Sequence, residues 1–123
     1  MKTLSIIVPG YNEQDNIRTF YDAVLNVFGA LNYKIEMIFV DDGSTDNTLA
    51  EIKKLHQTDK FIIRYISFSR NFGKESAIYA GLNNASGDYL VLIDADMQQD
   101  PALIPDMLEI LERDQNIDEV ACY

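Results

Sequence analysis

The sequence is poor in cysteine and in long apolar segments, and both features exclude classes of protein. Cys122 is the only cysteine, so no internal disulfide can form and nothing indicates an oxidising compartment. No apolar run approaches the roughly 20 residues that span a bilayer. The apolar segment that follows Met-Lys-Thr is too short for a signal peptide. These features predict a cytoplasmic protein.

Basic residues are also scarce. Ten Lys and Arg stand against twenty Asp and Glu, which gives a net charge of -10. Such a chain repels a phosphate backbone, and no run of Lys or Arg offers a local exception, so we expect no nucleic-acid partner. The 123 residues, 47% hydrophobic and 24% charged, are typical of a single globular domain.

The apolar residues alternate between short continuous runs and helical spacing. The runs predict five strands: Leu4–Val8, Ile35–Val40, Phe61–Phe68, Tyr89–Ile93 and Ile117–Tyr123. Helical spacing predicts helices at Ile17–Leu31, Leu49–Leu55, Gly73–Ala85 and after Pro101. This alternation predicts an α/β fold, a mostly parallel sheet with helices on both faces.

Small polar residues precede the first two predicted helices and are candidate caps. Asn12, with Asp15 three positions later, is the candidate N-cap of the first helix. Ser44 or Thr45 is the candidate for the second helix. In open α/β sheets the ligand binds beyond the carboxyl ends of the strands, where these same turns lie.

Acidic residues are concentrated at these strand ends. Five carboxylates follow the first, second and fourth strands: Glu13, Asp41, Asp42, Asp94 and Asp96. Crowded carboxylates disfavour one another's charge unless a cation or hydrogen-bond donors compensate. We therefore expect a cation or a ligand at this rim of the sheet.

Asp94 and Asp96 form the most suggestive pair. In an extended chain they project to the same side with Cα atoms roughly 6.6 Å apart. Such a pair can share a hard divalent ion, and Gln98 could add a neutral oxygen. Mg²⁺ is typically held by one or two carboxylates together with substrate phosphates, which indicates a diphosphate ligand.

The turn after the second strand has two interpretations. In the first, Gly43 permits a tight turn and Ser44 caps a helix. In the second, Asp41 and Asp42 accept hydrogen bonds from ribose hydroxyls or a base N–H. Tyr11 could offer its ring to a base, although an exposed tyrosine beside a helix start is also ordinary.

Five motifs occur in one order along the chain: Val8-Pro9-Gly10-Tyr11-Asn12-Glu13, Val40-Asp41-Asp42-Gly43-Ser44-Thr45-Asp46, Ser69-Arg70-Asn71-Phe72-Gly73-Lys74-Glu75, Ala85-Ser86-Gly87-Asp88 and Asp94-Ala95-Asp96-Met97-Gln98-Gln99-Asp100-Pro101. Together they resemble the family 2 glycosyltransferases with the GT-A fold, most closely the polyprenyl-phosphate branch. The resemblance implies the Rossmann-like, nucleotide-binding half of that fold. It also implies inverting transfer of a sugar from a UDP- or GDP-sugar to a polyprenyl phosphate or glycan, in building the cell envelope.

The resemblance also implies residue roles. Asp96 would ligate Mg²⁺ or Mn²⁺ with Asp94 and Gln98 beside it, and Asp96 and Gln98 are the implied catalytic residues. The implied nucleotide-sugar pocket comprises Pro9, Tyr11, Asn12, Glu13, Asp41, Asp42, Ser44, Arg70, Lys74, Asp94 and Ala95.

The chain is shorter than the members of that family. We interpret residues 1–123 as a single domain, the donor-binding N-terminal part of a larger enzyme. Acceptor residues and any membrane segment would then lie beyond Tyr123, and the full enzyme would work at the cytoplasmic face of a membrane. The alternative is a catalytically incomplete nucleotide-binding fragment, or one that self-associates through an uncovered apolar face as a homo-oligomer.

Three other α/β classes are excluded because this chain lacks the motif that each of them requires. A receiver domain has its acidic pair after the first strand, where this chain has Pro9-Gly10-Tyr11. A dinucleotide-binding domain requires Gly-X-Gly-X-X-Gly after the first strand, and this chain has no such motif at that point. A sugar nucleotidyltransferase has a glycine-rich basic loop at that point, which Asn12-Glu13-Gln14-Asp15 is not.

Overall fold

The computed structural model describes residues 2–28, 33–56, 61–96 and 101–113. Strands and helices alternate along this part of the chain: β1 (Lys2–Gly10), α1 (Ile17–Phe28), β2 (Tyr33–Asp41), α2 (Thr48–His56), β3 (Ile62–Ser67), α3 (Lys74–Asn84), β4 (Tyr89–Leu92), a short 3-10 helix (Pro101–Leu103) and α4 (Ile104–Arg113). The predicted strand Ile117–Tyr123 and Leu31 lie outside the described residues.

The four described strands form one parallel sheet in the order β3-β2-β1-β4. Parallel neighbours require crossover helices, which the alternation of apolar runs and helical spacing anticipates. The prediction of an α/β fold with a parallel sheet is therefore confirmed. Because β1 lies in the interior of this sheet, its apolar run is buried on both faces, and Leu4, Ile6, Ile7 and Val8 are essentially inaccessible.

Helices cover both faces of the sheet. The larger core lies on the side where Phe20 of α1, Ile52 of α2 and Leu108 of α4 pack against the sheet. On the opposite face α3 packs against β1 and β2, with Ala77 next to Ile38 and Val40. The chain therefore crosses to the second face between β3 and β4. This change of face determines at which strand ends a cleft can form.

The predicted helix caps are wrong. α1 begins at Ile17 rather than near Asn12, and Asn12 adopts a left-handed φ of 54°. α2 begins at Thr48, whose backbone N–H donates to Asp46. The candidate side chains fail as caps because they bind each other's loops, as described for the site below.

Among the described residues, no helix combines the length and the apolar character needed to cross a membrane.

Candidate functional site

The cleft of this protein forms where β1 separates from β4. Hydrogen-bonded pairing between β1 and β4 ends at Ile7 and Leu92, whereas β1 and β2 remain paired as far as Gly10 and Asp41. Pro9 has no N–H with which to continue the ladder. β2 and β4 lie on opposite sides of β1, so this gap is the topological switch point of the sheet, where α/β proteins bind ligands.

A cleft of about 200 Å³ opens at this switch point. Its lining residues come from four segments: Pro9, Gly10, Tyr11 and Glu13 at and after the end of β1, Asp42 after β2, Lys74 and Ala77 of α3, and Asp94, Ala95 and Asp96 after β4. The structure thus brings four carboxylates and one ammonium group to one opening. Asp42 and Asp96, which follow different strands, both line it.

The segment that carries Asp94 and Asp96 is not extended as the spacing suggested. β4 ends at Leu92, and Ala95 and Asp96 lie in a turn. Both carboxylates nevertheless line the cleft, and Ala95 between them is only 1% exposed. The two acids therefore flank a buried alanine at the opening.

Hydrogen bonds join the loops after β1 and β2. Ser44 Oγ accepts from the Asn12 backbone N–H at 2.9 Å, and Asn12 Oδ1 accepts from the Thr45 N–H at 2.9 Å. The Thr48 hydroxyl accepts from the Glu13 N–H at 2.8 Å. Asn12 and Ser44 therefore brace the cleft, and neither is among the described residues that line it.

Asp46 completes this bracing. Its carboxylate accepts hydrogen bonds from Thr48 and, at 3.4 Å, from the Gln14 N–H. Partial burial acts to raise the pKa of Asp46, but the hydrogen bonds from Thr48 and Gln14 outweigh it and hold the pKa below its ordinary value. Asp46 is thus a charged anchor of the loops, a role that sequence reasoning missed.

Asp41 and Asp42 both have internal partners. Asp42 is 4% exposed and accepts from the backbone N–H groups of Phe72 at 2.8 Å and Gly73 at 3.1 Å. Asp41 accepts from the Ser44 N–H at 3.2 Å and is not among the described residues that line the cleft. Both carboxylates thus have a structural explanation, and Asp42 also borders the opening.

Gly43 allows the β2 turn to approach the loop before α3. Its φ is +70°, a conformation that glycine adopts without cost. A side chain at this position would collide with the backbone of Arg70 and Asn71. The glycine therefore holds Asp42 within reach of the N–H groups it binds.

The two candidate phosphate-binding cations have different surroundings. Lys74 Nζ lies 2.7 Å from Asp94 Oδ2 inside the cleft. Arg70 places its guanidinium 4.6 Å from the centroid of the Phe72 ring and is not among the described lining residues. Only Lys74 is therefore positioned for the cleft in this structure.

Sequence reasoning did not assign Gly10 and Ala77 to the site. Gly10 is the last residue of β1, and Ala77 lies on the inner side of α3 one turn from its start. Both are small, and the signal that could have identified them is their position next to a strand end or helix start. Small side chains there keep the cleft open.

The cleft residues are compatible with a divalent cation that has only part of its ligands from protein. Among the described residues, no three His, Cys, Asp or Glu side chains are grouped as a metal site. Asp94 and Asp96 are two hard oxygen donors on one short segment after β4, and Mg²⁺ and similar ions often take one or two carboxylates and complete their shell with phosphates and water. Gln98 lies outside the described residues.

A parallel sheet with an acidic cleft at its switch point defines an α/β domain whose cleft lies where such sheets bind ligands. The sequence model for Glycosyl transferase family 2 matches residues 5–122. Since this match covers nearly the whole chain, the protein belongs to that family.

Curated relatives agree with this assignment. The chain is 41% identical over 106 residues to a bactoprenol glucosyl transferase of Shigella phage SfV, covering 86% of this chain and 34% of the relative. It is 36% identical over 110 residues to a dodecaprenyl-phosphate galacturonate synthase of Rhizobium johnstonii, covering 89% of this chain and 32% of that protein. The chain thus spans about a third of the length of the curated relatives it matches.

A solved structure with the same fold is the mannosyltransferase PcManGT from Pyrobaculum calidifontis, in complex with GDP-Man and Mn²⁺. The TM-score is 0.78 at 25% identity, over 89% of this chain and 32% of that one. The described sheet and helices are therefore part of a GT-A glycosyltransferase fold.

Proposed function

We propose that this chain is the donor-binding part of an inverting glycosyltransferase that uses a UDP- or GDP-sugar and Mg²⁺ or Mn²⁺. The observation that carries the proposal is the convergence of Glu13, Asp42, Asp94 and Asp96 on one cleft at the switch point. The membership in family 2 supports sugar transfer, and PcManGT binds GDP-Man and Mn²⁺.

The nucleoside half of the donor fits the β1 side of the cleft. Tyr11 is 44% exposed at the rim and offers a ring face to a base. Glu13 and Asp42 border the same side and can accept hydrogen bonds from ribose hydroxyls or base N–H groups. Pro9 and Ala95 are buried apolar residues of the lining and shape the wall of the cleft.

The diphosphate fits the β4 side. Asp96 and Asp94 would hold the cation, with Gln98 beside them, and Lys74 would contact a phosphate oxygen. A cation held there would neutralise the negative charge that grows on the departing nucleoside diphosphate. The proposed catalytic residues are therefore Asp96 and Gln98.

The proposed reaction breaks the bond between the anomeric carbon and the diphosphate oxygen, which leaves with the electron pair. The acceptor oxygen bonds to the anomeric carbon from the opposite face, so the configuration inverts. An acceptor phosphate is already anionic near neutral pH and requires no general base, whereas a sugar hydroxyl would require one within hydrogen-bonding reach.

We propose a polyprenyl phosphate as the acceptor, since the matched relatives include a bactoprenol glucosyl transferase and a dodecaprenyl-phosphate galacturonate synthase. In such an enzyme we expect the donor cleft to face the cytoplasm. The chain spans about a third of the length of these relatives. We therefore expect the 123-residue chain to bind donor but to transfer sugar poorly or not at all.

The test is calorimetric titration of the chain with UDP and GDP, each with and without Mn²⁺. We expect binding that requires Mn²⁺, and we expect it to disappear in Asp96→Ala. Asp106→Asn, on the exposed side of α4 and outside the cleft lining, is the matched control and keeps wild-type binding. Nucleotide binding that is the same with and without Mn²⁺, and the same in Asp96→Ala as in wild type, would contradict the proposal.

The second candidate function is a self-associating fragment, and exposed apolar side chains favour it. Tyr79, Leu82 and Leu90 expose 68%, 45% and 39% of their surface. Sedimentation over a range of protein concentrations separates the two: a dimer that binds no nucleotide supports this alternative, and a nucleotide-binding monomer excludes it.

A further inference from the structure

Lys74 has a special place in the cleft. Among the described residues that line it, Lys74 is the one cation beside four carboxylates. Its Nζ lies 2.7 Å from Asp94 Oδ2, the distance of a charge-assisted hydrogen bond. The cleft therefore contains its own counter-ion at the carboxylate that we propose as a metal ligand.

The position of Lys74 on α3 is not one that stabilises the helix. Lys74 is the first residue of α3, where the helix dipole disfavours a positive charge. Glu75, the next residue, is the side chain that suits this end of the helix. The carboxylates of the cleft, rather than the helix, explain why a cation is placed here.

The Lys74–Asp94 pair is accessible enough to exchange partners. The side chains of Lys74 and Asp94 are 60% and 29% exposed, so water screens the pair and its strength is modest. A divalent cation approaching Asp94 is repelled by the ammonium group and competes with it for the same carboxylate. A diphosphate arriving with that cation offers the ammonium group a new anionic partner within the same cleft.

We propose that Lys74 holds Asp94 until the donor arrives and then transfers to the diphosphate as Asp94 turns to the cation. This inference rests on the proposed function. Its thermodynamic consequence is that Lys74 opposes binding of the cation alone and favours binding of the nucleotide with the cation. The cation and the nucleotide therefore bind cooperatively.

The experiment measures two affinities in Lys74→Gln. The first is Mn²⁺ alone, followed by the electron paramagnetic resonance of unbound Mn²⁺. Removing the competing ammonium group should tighten this binding about threefold, as expected for loss of an exposed ion pair. The second is UDP and GDP binding in saturating Mn²⁺, which should weaken about tenfold as a charge-assisted contact to phosphate is lost.

Two further variants separate this exchange from a general disturbance of the cleft. Lys74→Arg keeps a cation and should restore most of the nucleotide affinity. Lys54→Gln breaks an exposed ion pair with Glu51 on α2 and should change neither affinity. Circular-dichroism melting of each variant shows that the fold is unchanged.

The outcomes distinguish the exchange from the proposed function. Mn²⁺ binding that is unchanged or weaker in Lys74→Gln overturns the exchange. Nucleotide binding that is unchanged in Lys74→Gln overturns the contact with phosphate. Wild-type protein that binds neither UDP nor GDP overturns the proposed function, and the Mn²⁺ measurement alone still decides whether Lys74 competes for Asp94.

Discussion

The two ends of the sheet use the same chemical group in opposite ways. Near the amino end, the carboxylate of Glu36 is 2% exposed and surrounded by internal donors. At the carboxyl end, Asp94 and Asp96 border an open cleft. A carboxylate enclosed among internal donors stabilises the fold, whereas a carboxylate at an opening can also be reached by a ligand.

Glu36 connects four parts of the chain. It accepts hydrogen bonds from the Ser5 hydroxyl at 2.8 Å, the Ser86 N–H at 3.0 Å and the Ser86 hydroxyl at 2.9 Å. Arg64 Nε lies 3.4 Å from its second oxygen. These contacts join β1, β2 and β3 to the connection between α3 and β4.

The largest expected effect is on stability and comes from Glu36→Ala. Removing this carboxylate leaves Ser5, Ser86 and Arg64 without their partner, at a cost of about 3 kcal/mol in the free energy of unfolding. Urea titration measures the change, and nucleotide affinity of the folded protein should stay at the wild-type value.

Asp94→Asn should show the opposite pattern, with the free energy of unfolding within about 0.5 kcal/mol of wild type and nucleotide binding lost. Loss of nucleotide binding in Glu36→Ala, or loss of stability in Asp94→Asn, would contradict the comparison between the two ends of the sheet.

Asp42→Asn should affect both stability and nucleotide affinity, because the Asp42 carboxylate is bound within the protein and also lines the cleft. The amide has one accepting oxygen where the carboxylate uses two, so one backbone N–H of Phe72 or Gly73 loses its partner. We expect a loss of about 1–2 kcal/mol in unfolding free energy together with weaker nucleotide binding. Urea titration and calorimetry on one preparation measure both, and wild-type stability would show that the two hydrogen bonds contribute little.

Tyr11→Ala tests the nucleoside side of the cleft. Loss of one aromatic stacking partner should weaken nucleotide binding about tenfold and leave stability nearly unchanged, since the ring is 44% exposed. Tyr79→Ala, which removes an even more exposed ring on α3 outside the cleft lining, is the matched control. Equal effects of the two substitutions on affinity would exclude a specific contact with the base.

The smallest expected effect is a pH dependence at the Glu36 end. Burial alone would raise the pKa of Glu36, but the hydrogen bonds from Ser86 and Ser5 and the charge of Arg64 hold it below its ordinary value of 4.5. The stabilisation is therefore complete above pH 4.5 and is lost as the pH falls through the lower pKa of the folded state. The difference in unfolding free energy between wild type and Glu36→Gln should shrink over that range, and a constant difference would contradict this assignment.

The fold and the position of the cleft were largely predictable from the sequence. Continuous apolar runs such as Leu4–Val8 predict strands buried on both faces, and the carboxyl ends of parallel strands share one edge. The acidic residues after β1 and β4 can therefore be assigned to one site from the sequence alone.

Long-range hydrogen bonds were not predictable in this way. Asn12 and Ser44 are residue types that often cap helices, but each binds the other's loop. Asp46 instead accepts the hydrogen bond from the Thr48 N–H at the start of α2. Glu36 occupies one position in an apolar strand, and its partners Ser86 and Arg64 lie far away in sequence. Local pattern carries no information on such pairs, because they exist only once the sheet is assembled.

The most direct measurement compares the two ends in one experiment. Amide chemical shifts of ¹⁵N-labelled protein are recorded as UDP or GDP is added with Mg²⁺. We expect shifts at Gly10, Tyr11, Lys74 and Asp94 to Asp96, and none at Ser5, Glu36 and Ser86. Shifts that avoid the switch-point cleft, or that centre on the Glu36 end, would contradict the claim that the cleft carboxylates bind a cation and a nucleotide.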